Sequence, residues 1–227
     1  MHGLFIAMAF CGAFESGAAA PVPSRWTLDG SGKRIVWNVR EDKRLPHKDM
    51  LEMSGLQSSI VLSYEINEAR EPKLLRFVLW PQYRTQPNDT HATCYYGFTG
   101  DSALAFEIGG KAAKEVVDEI SFDGIWRSVS RAGDAVLVRS ILPCADKPAA
   151  IETVEVLNSG KTPLEVKALN GEFRTYCIGC DARFEERCDV AEKARTLKAG
   201  ESATWTAVYF IRRVMEKVVT ADAQEEI

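Results

Sequence analysis

Apolar and polar residues alternate along most of this chain with a period of two, in short runs separated by turn residues. Ile60, Leu62, Tyr64 and Ile66 alternate with Ser59, Val61, Ser63 and Glu65, which predicts a strand with one buried and one partly wet face. Ala203, Trp205, Ala207, Tyr209 and Ile211 alternate in the same way with Thr204, Thr206, Val208 and Phe210, predicting a long last strand through Ile211. Further strands are expected over 26–28, 34–39, 74–80, 93–98, 103–108, 114–121, 124–130, 135–142 and 151–157. Gly109-Gly110, Asp123-Gly124, Gly133-Asp134 and Asn158-Ser159-Gly160 punctuate them with residues that tolerate the positive φ of tight hairpins. The stretch 154–169 is the clearest expected hairpin, and 173–189 is a second, cysteine-bearing one. The charged segment 39–51, with Pro46, predicts a loop. From Arg212 the period changes, with Val214, Met215, Val218 and Val219 at helical spacing. More than ten strands, mainly antiparallel, and one C-terminal helix predict an all-β sandwich.

Composition narrows the picture. At 227 residues and 46% hydrophobic, the chain is long enough for one sandwich domain with a sizeable core. A formal charge of −4 without a basic stripe argues against nucleic acid as a partner. The apolar run from Leu4 to Phe14, followed by Ser16, Gly17 and Ala18 to Ala20, has the form of a secretory leader over 1–20. It is shorter than the roughly 20 residues that cross a bilayer, so no membrane span is expected. The expected organisation is a leader over 1–20, a sandwich over 21–211 and a helix over 212–227, in a secreted or periplasmic protein.

Removal of the leader leaves Cys94, Cys144, Cys177, Cys180 and Cys188, an odd number for an oxidising compartment. Cys177, Cys180 and Cys188 form a cluster. A zinc centre would need four ligands, and no histidine lies near; the predicted strands lack the βαβ setting of a dithiol redox motif. A disulfide remains, either Cys177 to Cys180 around a turn at Ile178-Gly179 or Cys177 to Cys188 across the hairpin. No metal or cofactor is expected.

Candidate chemistry is concentrated in two loops. Arg84, Asn88, Asp89 and His91 stand between the apolar strands of the stretch 78–95, and His47 lies near Asp49 and Glu52. Each set pairs a histidine with carboxylates, as a general acid/base would require, and each is equally the composition of an ordinary polar loop. Arg84 offers five donors for carbonyls or a partner surface. No nucleophile elbow, phosphate loop, zincin motif or dinucleotide fingerprint is present. Trp37, Trp80 and Trp205 fall in apolar strand patterns and read as core, while Trp26 and Trp126 are open between core and sugar-stacking positions.

Ile35-Val36-Trp37, Arg44-Leu45-Pro46-His47, Glu52-Met53-Ser54-Gly55, Leu79-Trp80-Pro81, Arg84-Thr85 and Pro87-Asn88-Asp89-Thr90-His91 together resemble the N-terminal β-sandwich of secreted bacterial six-hairpin glycosidase-like proteins. The resemblance implies a galactose-mutarotase-like supersandwich that supports an (α/α)6 barrel, the barrel carrying the catalytic carboxylates. On that reading the chain is a non-catalytic domain in carbohydrate metabolism, its partner a barrel domain or adjacent gene product, with Arg84, Asn88, Asp89, His91 and His47 as contacts. The alternatives are a stand-alone module that binds polysaccharide, and a glycosidase using His47 or His91.

Overall fold

A computed structural model describes residues 24–89 and 91–214. Seventeen strands and a single 3-10 turn make up its regular structure. In chain order the strands are β1 (Thr27–Leu28), β2 (Ile35–Asn38), β3 (His47–Ser54), β4 (Ser59–Ile66), β5 (Pro72–Arg84) and β6 (Thr93–Phe98). After the 3-10 turn Gly100–Ser102 come β7 (Ala105–Ile108), β8 (Lys111–Ala112), β9 (Val116–Phe122), β10 (Trp126–Ala132), β11 (Ala135–Pro143) and β12 (Ala149–Asn158). The last are β13 (Leu164–Leu169), β14 (Glu172–Ile178), β15 (Arg183–Val190), β16 (Ala194–Leu197) and β17 (Ser202–Arg213).

They form three antiparallel sheets. A nine-stranded sheet has the order β1-β2-β9-β10-β11-β12-β17-β15-β14, and two four-stranded sheets have the orders β3-β4-β5-β6 and β16-β13-β7-β8. One core cluster draws on all three: Trp37, Ile120, Trp126, Leu137 and Trp205 from the large sheet meet Ile60, Leu62, Val78 and Trp80 from the β3–β6 sheet and Phe106 and Val166 from the other. This is the all-β sandwich the alternation predicts. Trp126 joins Trp37, Trp80 and Trp205 in full burial, and Trp26 packs half-buried against Trp37 with ring centroids 6.0 Å apart.

Four expectations are corrected. The stretch 39–51 is a loop only as far as Pro46, since β3 begins at His47 and pairs with β4 along its whole length. Lys48, Asp49 and Glu52 hid the strand because β3 is an edge, where charges discourage pairing with other chains. Secondly, the arms of the expected 154–169 hairpin lie in different sheets: β12 pairs with β11 and β17, β13 with β7 and β16. The turn is a corner between layers, pinned by buried Asn158, whose Nδ2 donates to Thr162 O (2.8 Å) and Leu197 O (3.0 Å). Thirdly, β17 continues past Ile211, with Arg212 opposite Glu185 and Arg213 opposite Phe184, so no helix begins at Arg212. The rest of the expected helix, and the expected leader over 1–20, lie outside the described residues. Lastly, the strand expected over 74–80 is longer: β5 opens at Pro72 and runs on through Pro81, where its register with β6 shifts between Trp80 and Arg84.

Gly55 shows why a glycine belongs in the Ser54-Gly55 turn. A Cβ there would overlap the Cys144 carbonyl oxygen, because the β3–β4 turn docks on the loop after β11 through Leu56 N–H to Ala145 O (2.8 Å).

Candidate functional site

Where the three sheets meet, the inward alternation of the strands is interrupted by charge. Arg76 on β5 stands between Leu74 and Val78, Arg139 on β11 between Leu137 and Ile141, and Glu152 on β12 follows Ala150. All three are buried. Arg76 grips Glu152 with two parallel bonds, Nε to Oε2 and Nη2 to Oε1, each 2.6 Å. Arg139 Nη1 and the Tyr209 hydroxyl also donate to Glu152, and Arg139 Nη2 reaches Glu115 Oε1 at 2.5 Å. Ser130 Oγ donates to Glu115 Oε2 at 2.7 Å. Two guanidinium groups are therefore matched by two carboxylates, with Arg76 of the β3–β6 sheet reaching Glu152 of the large sheet across the interface. Burial alone would raise the Glu152 pKa, but the charges of Arg76 and Arg139 and the hydrogen bonds of Arg76 and Tyr209 hold it at about 2.

A cavity of about 380 Å³ opens beside this lattice. Arg76, Arg139 and Glu115 line it together with Lys73, Leu104 and Phe106. The Arg139 Nε, buried, has no hydrogen-bond partner. The charges of Arg76, Arg139, Glu115 and Glu152 sum to zero, and Lys73 adds one positive charge to a wall otherwise made of apolar and neutral polar groups. The loop residues singled out from the sequence do not include these. The signal available was a charge at an inward position of an apolar alternation.

The sequence candidates lie elsewhere. Arg84 ends β5, and its Nη1 donates to Asp89 O at 3.2 Å. Asn88 adopts φ 58°, a conformation asparagine tolerates, and Asp89 Oδ1 accepts the His91 N–H at 2.8 Å, closing a tight Asx turn. The His91 ring is exposed, with Nδ1 3.7 Å from Asp89 Oδ1. Asn88, Asp89 and His91 are thus brought together with Arg84 as a turn. His47 is remote from them: it pairs with Ile66, which pairs with Pro72, twelve positions before Arg84 and roughly 40 Å away along a strand. Its ring meets the Trp37 ring edge-on at 5.1 Å, and its Nε2, 3.6 Å from Asp49 Oδ2, has no hydrogen-bond partner. Burial and the nearby Arg25 charge lower its pKa, favouring the neutral ring.

The cysteine cluster is arranged differently from either expected pairing. In the register of β14 with β15, Cys177 faces Phe184 while Cys188 faces Phe173, four positions along, or roughly 13 Å. Cys180 is exposed beyond the turn, and its N–H donates to Arg84 O at 2.8 Å. None of the five described cysteines is in a disulfide. The neighbour of Cys177 is instead Cys94 on β6, Sγ to Sγ 3.0 Å. No group of three or more metal-ligating side chains gathers among the described residues, nor is any described helix long and apolar enough to cross a membrane.

The outer face of the β3–β6 sheet carries an apolar band. In register order it runs through Met50 and Val61 to Leu75, Phe77, Leu79 and Tyr95. Met50 and Tyr95 are 63% and 59% exposed, and the other four are half-buried. The Phe77 and Tyr95 rings lie 6.3 Å apart. Gly97 leaves room for Phe77, since a Cβ there would come within 3.0 Å of the ring.

No protein-family model matches the chain, and no curated protein matches it. Among solved structures, a protein described as "Putative kojibiose phosphorylase from human microbiome" is similar to it at 8% identity and a TM-score of 0.47. The match covers 85% of this chain and 34% of that one, so the chain spans about a third of that protein's length.

Proposed function

We propose that this chain is a non-catalytic β-sandwich module of a carbohydrate-active protein, packed against an (α/α)6 barrel. The motifs from Trp37 to His91 suggest the family, and the observation that carries the docking role is the apolar band of the β3–β6 sheet. Six apolar side chains on one sheet face, two of them more than half exposed, form the kind of patch that a partner surface covers. The partner named by the resemblance is a helical barrel, encoded in the same or an adjacent reading frame. Co-expression with that barrel is expected to give a one-to-one complex by size exclusion with light scattering. Phe77→Glu should weaken it at least ~30-fold, the effect of losing a central anchor, while the lone module keeps its Tm. No barrel-encoding frame, no complex, or a complex indifferent to Phe77→Glu would overturn the proposal.

A second reading, a module that itself binds glycan, is favoured by the cavity beside Arg139. Titration calorimetry over a panel of neutral oligosaccharides is expected to show saturable heat that Ala112→Trp, at the exposed cavity rim, abolishes. A panel without heat removes this reading and leaves the docking role standing.

A further inference from the structure

We infer that Cys94 and Cys177 are a redox staple, two thiols placed to close into a disulfide that joins the β3–β6 sheet to the outermost strand of the nine-stranded sheet. The residues are 83 positions apart in sequence, yet the Cys177 thiol donates to Cys94 Sγ at 3.0 Å. Cys94 lies on β6 and is 1% exposed, while Cys177 lies half-buried on β14, the edge of the large sheet. One thiol is therefore shielded and its mate is reachable from outside.

The surroundings hold the pair in register. The tip of the β14–β15 hairpin is tied to the end of β5 by Cys180 N–H to Arg84 O, and Gly179 is packed so closely on Phe184 and Arg84 that it has no room for a side chain. β5 in turn pairs with β6, with Trp80 opposite Cys94. Glu186 completes the site. It is 2% exposed, its carboxyl lies within hydrogen-bond reach of the Cys177 thiol as an alternative acceptor, and its Oε1 has no partner. The bond from Cys177 favours the thiolate form of Cys94 and, with burial, holds Cys177 as the thiol, so Cys177 becomes a nucleophile as its proton passes to the Glu186 carboxylate beside it.

The oxidant is a small disulfide of the glutathione class. Cys177 passes its proton to Glu186 and displaces one thiolate from the oxidant, forming a mixed disulfide. Cys94 sulfur then attacks the Cys177 sulfur and expels the second thiolate. Two protein thiols become one disulfide, one small disulfide becomes two thiols, and the two protons end on the released sulfurs.

The test uses the full chain, reduced and then incubated with oxidised glutathione. Peptide mapping without reduction is expected to show a Cys94–Cys177 crosslink, and thiol titration in denaturant a loss of two thiols. Closing so long a loop should raise the Tm by ~10 °C, a rise absent in Cys94→Ala and Cys177→Ala. Glu186→Gln should slow closure about tenfold or more without changing the product. Should either cysteine variant fail to fold, the mapping of the parent chain decides alone. Cys177 crosslinked to Cys180 or Cys188, glutathione left on Cys177 without closure, or both thiols still free would each overturn the inference.

Discussion

Glu152→Ala is expected to lower the unfolding free energy by about 3–5 kcal/mol, the cost of removing one partner from a buried ion pair. The reason lies in what stays behind. Arg76 and Arg139 are 4% and 3% exposed, and between them they direct three donors at Glu152. Without the carboxylate, Arg139 keeps Glu115, but Arg76 keeps no carboxylate that the structure places in contact with it. Tyr209→Phe, which deletes only the hydroxyl bonded to Glu152, should cost about 1–2 kcal/mol. The same carboxylate sets an acid limit. Its pKa in the folded state is held near 2 against an ordinary 4.5. A lowered carboxylate pKa contributes stability that is present above the unfolded value and is lost as pH falls through the folded one. Urea melts of the parent should therefore lose stability between pH 4.5 and 2, with a shallower slope in Glu152→Ala. A loss below 1 kcal/mol at pH 7 would show that the lattice does not tie the sheets together.

Much of the fold was legible because its strands are half-wet. In β4 and β17 every second residue is apolar, and these positions are buried in the structure as the alternation requires. What the pattern could not carry was layer membership. The 154–169 stretch alternates cleanly on both arms, but the partner of each arm is set by contacts such as those of Asn158 with Leu197, distant in sequence. Edge strands were obscured for a different reason, since β3 carries Lys48, Asp49 and Glu52 to resist pairing and so reads as a loop. The candidate site was the least legible part. Loop residues such as Asp89 and His91 stand out in the sequence as titratable groups, and the structure shows them making a turn. Arg76, Arg139 and Glu152 show in the sequence only as charges at inward positions of apolar alternations, and their pairing depends on a meeting of three strands that no local pattern encodes. The thiol pair has the same character: proximity in sequence favoured Cys177 with Cys180 or Cys188, whereas sheet packing brings Cys177 to Cys94.

Glu186→Gln is expected to stabilise the protein by about 2–3 kcal/mol at pH 8 while changing little at pH 4. Glu186 points into the interface on β15, opposite Thr175 and Ile211, and unlike Glu152 it makes no ion pair among the described residues. Burial pushes its pKa up to about 7, with the Cys177 hydrogen bond pulling weakly the other way. For a raised pKa the favourable contribution is complete below the unfolded value of 4.5 and is lost as pH rises through 7. Each pH unit of that window is worth about 1.4 kcal/mol. Glutamine keeps the shape of the protonated acid and cannot ionise, so the variant should hold its stability from pH 4 to 8 where the parent declines. Urea denaturation of reduced protein across that range measures the difference and separates it from crosslinking. The two buried carboxylates thus act on opposite limbs, Glu152 below pH 4.5 and Glu186 above it. Their joint effect is a stability maximum near pH 4.5 that broadens upward in Glu186→Gln. Parallel profiles for parent and variant would show that burial does not raise the Glu186 pKa.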